Sequence, residues 1–253
     1  MPLIQDRLYK KIKRLTGKAI GDFNLIENND NILVAVSGGK DSYTLLHMLE
    51  SLRQRAPINF RLTAVNIDSG YPGFKQEVIE RHLIDYGFRF LMKQTDCYGI
   101  IEAKREPGSS YCSFCARLRR GVIYTMAEEL GCNKIALGHH LDDFIETLLL
   151  NQFYNGSLAA MSPKLLADNG KHTVIRPLVY VEEQEIIDFA LKNHFPVICC
   201  ACPVCGSVEQ KRKKVKSLIK ELARGNYCIR KNMLSSLGNV KPRHLMDKRL
   251  KEF

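Results

Sequence analysis

The chain has 253 residues and a formal net charge of +11, with 45% hydrophobic and 26% charged residues. This balance is typical of a folded globular protein, and the chain lacks the run of about 18 apolar residues that would predict a membrane helix. The length allows one large domain with small additions. The first predicted element, over residues 1–20, is a basic amphipathic helix rather than a secretory signal. The basic surplus predicts a polyanionic partner, nucleic acid before membrane.

After this helix, strand-like and helix-like segments alternate along the chain. Apolar runs predict strands at residues 31–37, 60–68, 88–94, 133–140 and 173–180, and helical spacing predicts helices at residues 41–52, 74–87, 115–131, 141–154 and 181–194. This alternation predicts an α/β fold, a parallel sheet with helices on both faces. We predict an N-terminal helical segment at residues 1–29, a nucleotide-binding core at 30–198 and a C-terminal appendage at 199–253, strongly basic over residues 211–226.

The first strand runs into a six-residue loop directly before a helix: Ser37, Gly38, Gly39, Lys40, Asp41 and Ser42. The spacing differs from the Walker A pattern. The two glycines permit positive φ and close approach of the backbone to an anion. The helix start offers unpaired N–H groups, to which the serine hydroxyls and the lysine charge are added. The loop therefore predicts a pyrophosphate cradle, the alternative being an ordinary glycine-rich turn.

Cysteines form the second distinctive pattern. Nine cysteines without an export signal predict reduced thiols rather than disulfides. Two Cys-x-x-Cys pairs occur, the first at Cys112 and Cys115, the second at Cys202 and Cys205, with Cys199 and Cys200 just before the second. Such pairs suit a tetrahedral zinc site or an iron–sulfur cluster, and spacing alone leaves both open. Three isolated cysteines are expected to be buried hydrophobic residues: Cys97, Cys132 and Cys228.

The surroundings of the cysteine pairs favour a working site over a purely structural one. The first pair is expected immediately before the helix that carries Arg117, Arg119 and Arg120, and the second follows the last predicted strand and its helix. Ligands bind at strand ends in parallel sheets. The stretch "GHHLDD" follows the fourth strand, and its Asp142 and Asp143 suit helix capping, Mg²⁺ binding or proton transfer. We expect no catalytic role for the two histidines of this stretch.

The loop resembles the SGGxDS signature of the PP-loop ATP pyrophosphatases. Several further segments in the same order extend the resemblance: "APINFRLTAVNID", "CSFCARLRRGVIY", "KIALGHHLDDFIETLLLNQFY", "GKHTVIRPL" and "CPVCGS". Together with "SGGKDSYTLL" they resemble the tRNA-cytidine(32) 2-sulfurtransferases over nearly the whole chain. The longer cysteine run "VICCACPVC" departs from that family and leaves the choice of the last cysteine ligand open.

The resemblance implies a reaction and roles for named residues. ATP is cleaved between its α and β phosphates, the C2 oxygen of cytidine 32 in tRNA is adenylated, and sulfur then displaces AMP. The loop residues 37–42 would hold the β,γ-diphosphate with Mg²⁺, and Asp68 and Gly138 would contribute to the nucleotide site. Lys40 would act on the phosphates, Asp143 as general acid or base, and Arg119 on the activated intermediate.

The resemblance also implies a [4Fe-4S] cluster bound by three cysteines. Cys112 and Cys115 match two ligands, and we choose Cys202 as the third, with Cys205 as the alternative and the remaining cysteine as a persulfide relay. The implied partners are tRNA, a sulfur donor such as a cysteine desulfurase persulfide, and a second copy of the chain as a homodimer in the cytoplasm. Competing functions are a 2-thiouridine synthetase, a tRNA lysidine synthetase, or a zinc-stabilised nucleic-acid-binding module without catalysis.

Overall fold

The computed structural model describes residues 3–105, 111–198, 201 and 210–247, with all their side chains except those of Cys112 and Ser113. Within that part of the chain the helices are α1 (Arg7–Asp22), α2 (Lys40–Arg53), α3 (Gln76–Asp85), α4 (Cys97–Lys104), α5 (Tyr111–Glu129), α6 (Leu141–Asn155), α7 (Glu183–Lys192), α8 (Gln210–Leu222) and α9 (Ile229–Ser236), followed by a short 3-10 turn (Pro242–His244). The strands are β1 (Asn31–Ala35), β2 (Arg61–Asp68), β3 (Phe90–Gln94), β4 (Lys134–Ala136), β5 (Lys164–Leu166) and β6 (Thr173–Ile175).

The strands of the described residues form a single sheet in the order β3-β2-β1-β4-β6-β5. Every neighbouring pair is parallel except β5 and β6, which are antiparallel at one edge. The central strands are buried on both faces, since Ile32, Leu33 and Val34 are fully buried although their side chains alternate between the faces. This confirms the predicted α/β fold with a parallel sheet and explains why the central strands read as continuous apolar runs.

The chain divides into two compact units, residues 1–140 with 162–208 and residues 141–161 with 209–253. The first unit contains the sheet, and the C-terminal half of α5 covers one face of β1, β2 and β4 through Met126 and Ala127. The second unit is built from α6, α8 and α9, whose apolar side chains meet around Ile145, Val215 and Ile219. The domain boundaries predicted at residues 29/30 and 198/199 stay a prediction.

Several local predictions are corrected by the structure. The strand predicted at residues 173–180 is limited to β6, since a turn follows Ile175, and the short β5 and the helix α4 were not predicted. Helix α5 begins at Tyr111 rather than at residue 115, so both cysteines of the first pair lie on the helix. Cys97 and Cys132 are buried as expected, but Cys228 is only half-buried. Among the described residues, no helix combines the length and apolar character needed to cross a membrane.

Candidate functional site

The first unit gathers the predicted nucleotide residues at one edge of its sheet. Because β1, β2 and β4 are parallel, their carboxyl ends point to the same side. The glycine-rich loop follows β1, Asp68 is the last residue of β2, and Gly138 lies two residues beyond β4. This edge is where parallel sheets bind ligands, and it brings together residues that are 100 positions apart in sequence (Gly38 and Gly138).

The loop is held in shape by its own serines. Ser42 Oγ donates to the carbonyl of Gly39 at 2.9 Å and accepts from the backbone N–H of Ser37 at 3.2 Å. The N-cap of α2 is Gly39, and Asp41 lies in the first turn of the helix. The backbone N–H groups at the start of α2 are therefore grouped around a preformed turn, with the positive end of the helix dipole behind them.

Two glycines allow close packing around this turn. Gly38 has φ +83°, and a Cβ added to it would lie 2.6 Å from Ile198 Cγ1, whose residue also donates its N–H to the Gly38 carbonyl at 3.0 Å. A Cβ on Gly138 would lie 3.0 Å from the carbonyl carbon of Asp41. The start of α2 thus rests directly on the backbone that follows β4, and any side chain at residue 138 would displace it.

Lys40 and Asp41 form the charged part of the loop. Lys40 Nζ lies 3.1 Å from Asp41 Oδ1 and 3.3 Å from Glu183 Oε1, and His140 Nε2 lies 3.7 Å from the same Asp41 oxygen. Burial by itself would lower the pKa of Lys40, but the carboxylates of Asp41 and Glu183 outweigh it and raise the pKa above its usual value. Lys40 therefore keeps its positive charge at the place where phosphates are expected.

Asp68 shapes the turn that follows β2. Its carboxylate accepts the backbone N–H of Gly70 at 2.8 Å, and Gly70 has φ +79° with the Thr95 carbonyl 3.0 Å from the position of an added Cβ. The turn leads to Tyr71, which is 7% exposed and donates its hydroxyl to Cys115 Sγ at 3.5 Å. Burial, with a smaller effect of the neighbouring thiol, raises the pKa of Tyr71 above its usual value.

Cys115 lies against an aromatic cluster in the first unit. Tyr71, Ile101 and Tyr111 form its buried part, and Cys115 and Ala201 are among the partly buried residues packed against it. Ala201 directly precedes Cys202 in the chain, so one residue of the second cysteine segment reaches the surroundings of the first pair. Cys202 and Cys205 themselves lie outside the described residues. Within the described part, no group of three or more His, Cys, Asp or Glu side chains is arranged to bind a metal.

Arg119 follows Cys115 by one turn of α5, and its Nε is buried without a hydrogen-bond partner among the described residues. The neighbouring arginines are engaged differently: Arg117 lies over the ring of Phe114 at 5.1 Å, and Arg120 forms an exposed pair with Asp168 at 3.4 Å. A buried donor without a partner costs about 1–3 kcal/mol. An anionic group at this position would satisfy it.

Asp143 belongs to the second unit, where it takes part in an ion-pair network. Arg212 donates through Nη2 to Asp143 Oδ1 at 2.6 Å and through Nε to Glu146 Oε2 at 2.7 Å, while Arg230 contacts Asp142 at 3.1 Å. Burial raises the pKa of Glu146, and Arg212 opposes that rise. The network links α6 to α8 and α9, so these carboxylates have a structural role whatever their chemical one.

Three residues near the predicted sites were missed or set aside in the sequence analysis. Glu183 contacts Lys40, His140 contacts Asp41, and Tyr71 contacts Cys115. The histidine could have been found, because "GHH" follows a strand whose carboxyl end belongs to the same edge as the loop. Glu183 and Tyr71 carry no comparable signal, since their partners are 143 and 44 residues away in sequence.

Comparisons with known proteins give the family and the fold of the chain. A family model described as PP-loop domain matches residues 5–197. The chain is 62% identical to a tRNA-cytidine(32) 2-sulfurtransferase of Syntrophotalea carbinolica, over 100% of this chain and 98% of that protein. It is 61% identical to the protein of that name from Geotalea uraniireducens, over 99% and 100%. The fold is similar to the U34-tRNA thiolase NcsA from Methanococcus maripaludis with its [4Fe-4S] cluster, with TM-score 0.74, 22% identity, and coverage of 93% of this chain and 80% of that chain.

Proposed function

Because this chain belongs to the PP-loop family, and within it to the tRNA-cytidine(32) 2-sulfurtransferases, we propose that it converts cytidine 32 of tRNA to 2-thiocytidine at the expense of ATP. The observation that carries the proposal is the full-length match to proteins of that name, together with a preformed phosphate loop at the carboxyl edge of the sheet. A lysidine synthetase is not favoured, because it would leave the two cysteine pairs without a function.

ATP would lie with its β and γ phosphates against residues 37–42. The N–H groups at the start of α2 and the charge of Lys40 would stabilise the pyrophosphate as it leaves. The C2 oxygen of the cytosine attacks the α phosphorus, the bond from that phosphorus to the bridging oxygen breaks, and pyrophosphate departs. The activated C2–O bond then breaks as sulfur forms a bond to C2, and AMP leaves with the oxygen. Asp68 and Gly138 would lie on the nucleoside side of the loop.

The charged residues outside the loop receive more specific roles. Arg119 would pair with the phosphate of the adenylated cytidine, because its buried Nε lacks a partner among the described residues and would be satisfied by an anion. Asp143 would accept or return a proton at the cytosine, with Arg212 fixing the orientation of its carboxylate. When bound, Mg²⁺ would offset the negative charge of the pyrophosphate, and Asp41, the carboxylate of the loop, would help to hold the metal ion.

The surroundings of Cys115 suit an iron–sulfur cluster. Its sulfur accepts a hydrogen bond from Tyr71 and lies against apolar and aromatic side chains, which is the kind of environment that stabilises cluster thiolates. We assign Cys112, Cys115 and Cys202 as the ligands, with Cys205 as the alternative third ligand. When bound through three cysteines, a [4Fe-4S] cluster has one iron without a protein ligand and supplies sulfur for the transfer. The need for reduced thiols suits the cytoplasm, and a persulfide from a cysteine desulfurase is the sulfur source we propose.

The decisive test combines metal analysis with tRNA thiolation in anaerobically purified protein. We expect iron and acid-labile sulfide in a ratio that fits one [4Fe-4S] cluster, and 2-thiocytidine in tRNA only when ATP is present. Lys40→Ala and Asp41→Ala should lose thiolation and retain the cluster, because both residues lie in the loop and neither is a cysteine. Stoichiometric zinc instead of iron in protein that thiolates tRNA would contradict the cluster assignment.

Cysteine variants separate the ligands. Cys112→Ala and Cys115→Ala should lose both the broad visible absorption of the cluster and the activity. Of Cys202→Ala and Cys205→Ala, one should lose the cluster and the other only sulfur transfer if it relays a persulfide. Cys132→Ala is the matched control, because Cys132 is buried in the core between α5 and the sheet and belongs to neither pair. Loss of the cluster from this control alone would contradict the assignment.

The second unit would bind the tRNA backbone through α8. Five lysines of this helix are exposed, at positions 211, 213, 214, 216 and 220. Arg212, on the same helix, binds Asp143 and Glu146. Neutralising Lys211, Lys213 and Lys214 should weaken tRNA binding and lower the slope of log affinity against log salt by about 0.7–0.9 for each phosphate that no longer pairs with a lysine. Unchanged affinity and slope would mean that α8 is only a solvated helix. Formation of a homodimer stays a prediction.

A further inference from the structure

The second unit carries an exposed aromatic surface beside its basic helix. Phe153 and Tyr154, on the last turn of α6, are 56% and 42% exposed. Lys211 on the first turn of α8 lies over the Tyr154 ring, with Nζ 4.7 Å from the ring centroid. We define these three residues as the stacking surface. Exposed aromatic rings offer faces on which a flat ligand can stack, since aromatic side chains gain from burial.

The chain around this surface is held by local hydrogen bonds. The Asn151 side chain donates through Nδ2 to the backbone carbonyl of Ala159 at 2.8 Å. The backbone carbonyl of Asn151 accepts the N–H of Ser157 at 3.0 Å. Asn155 donates to Asn151 Oδ1 at 2.8 Å, and Gly156 turns the chain at φ +59°. The segment that follows the rings is therefore folded back onto α6. A backbone ordered in this way loses little further conformational entropy when a ligand stacks on the rings.

The charge around the rings identifies the chemistry of the ligand. The second unit contains 14 lysines and arginines and seven aspartates and glutamates. This quarter of the chain therefore has a formal charge of +7, out of +11 for the whole chain. The acidic residues of α6, Asp142, Asp143 and Glu146, are engaged with Arg212 and Arg230. An exposed lysine next to exposed aromatic rings matches nucleotides, which present a phosphate charge and a flat base at a short distance from each other.

We propose that the stacking surface binds unpaired bases of the tRNA substrate, the rings stacking on bases and Lys211 pairing with an adjacent phosphate. This assignment rests on the proposed function, because it takes tRNA as the substrate. Paired bases in a duplex present no accessible ring face, so the surface selects single-stranded regions such as a loop. Cytidine 32 requires the same kind of region, since its C2 atom must leave a base stack to be reached. The two rings therefore supply a preference for RNA loops that the lysines of α8 do not.

The test uses the full chain with two RNA probes of equal length, a single strand containing 2-aminopurine and a duplex. Phe153→Ala and Tyr154→Ala should weaken single-strand binding about tenfold or more and abolish the quenching of 2-aminopurine, with little effect on the duplex. Their salt slope should stay that of the wild type, because neither change removes a charge that pairs with a phosphate, whereas Lys211→Ala should lower it by about 0.7 on a single strand. Tyr154→Phe should keep most of the binding, since it retains the ring.

Tyr227→Ala is the matched control, because Tyr227 is 83% exposed in the same unit and lies outside the stacking surface. Equal losses on single strand and duplex would overturn stacking, and unchanged binding would overturn the surface altogether. If Phe153→Ala and Tyr154→Ala instead convert a dimer into a monomer in sedimentation experiments, the surface is a contact between copies of the chain and the proposal is wrong. A wild-type protein that neither binds nor thiolates tRNA would refute the proposed function itself.

Discussion

Replacing Gly138 by alanine tests whether the phosphate loop depends on direct contact between backbones. An ideal Cβ on Gly138 would lie 3.0 Å from the Asp41 carbonyl carbon, 3.1 Å from its oxygen and 3.2 Å from Ser42 N. Ordinary van der Waals contact for a Cβ begins at 3.4 Å, so the start of α2 has to move by a few tenths of an ångström. Overpacking against a backbone costs about 1–3 kcal/mol, which corresponds to a decrease in Tm of about 2–12 °C for a chain of this size.

The functional loss in Gly138→Ala should exceed what this modest loss of stability explains. The atoms displaced are those of Asp41 and Ser42, whose N–H groups are expected to face the pyrophosphate. We expect at least a tenfold rise in the Kd for ATP, equivalent to about 1.4 kcal/mol, measured by isothermal titration at a temperature where the variant is folded. Pyrophosphate release in the presence of tRNA should decrease in parallel.

Gly121→Ala is the control for this experiment. Gly121 lies within α5, and an added Cβ would meet nothing within 4 Å. The control should retain ATP affinity and gain about 0.5–1 kcal/mol of stability, since alanine is the better helix former. Wild-type ATP affinity in Gly138→Ala would refute the argument that close approach at this glycine positions the loop.

Three further predictions concern side chains outside the loop. If Cys115 binds the proposed cluster, Tyr71→Phe should shift the reduction potential of that cluster to a more negative value, because a hydrogen bond to a ligand sulfur stabilises the reduced form. Tyr98→Phe, whose ring lies 5.2 Å from that of Tyr71, should leave the potential unchanged. Equal potentials in the wild type and both variants would contradict a hydrogen bond from Tyr71 to a cluster ligand. Arg212→Met should lower the free energy of unfolding in urea by about 2–3 kcal/mol, less than for a fully buried pair because the Arg212 side chain is 33% exposed. Adding Glu146→Gln to this variant should recover part of the loss. An unchanged unfolding midpoint would mean that the network contributes nothing to stability. Burial lowers the pKa of His47 to about 3 and that of His82 to about 4, so the unfolded chain binds more protons below pH 6.5, and the free energy of unfolding should decrease as pH falls, by up to about 1.4 kcal/mol per pH unit for each histidine. The double variant His47→Leu/His82→Leu, which removes both members of a pair 2.9 Å apart, should lose that dependence, and an unaltered slope between pH 6.5 and 4.5 would exclude these histidines as its source.

The main elements of the fold could be predicted because their causes are local. The central strands can be recognised as apolar runs, since a parallel sheet buries both faces. The loop at residues 37–42 combines glycines, serines and a lysine where the first strand meets the next helix. Strand β5 and helix α4 were not predicted, because their local sequence patterns are weak. Strand β5 has only three residues, two of them exposed, and α4 has a glycine in its first turn, so neither produces a clear periodic pattern.

The partners of the charged and sulfur-bearing side chains were decided by tertiary structure alone. Nothing near Asp143 in sequence indicates that Arg212, 69 residues later, would bind it, and nothing near Cys115 indicates that a tyrosine 44 residues earlier would donate to its sulfur. Residue types predict which chemistry a side chain can perform. Which donor reaches which acceptor depends on how helices and strands pack, because a hydrogen bond tolerates only a few tenths of an ångström and packing sets that distance between residues far apart in the chain.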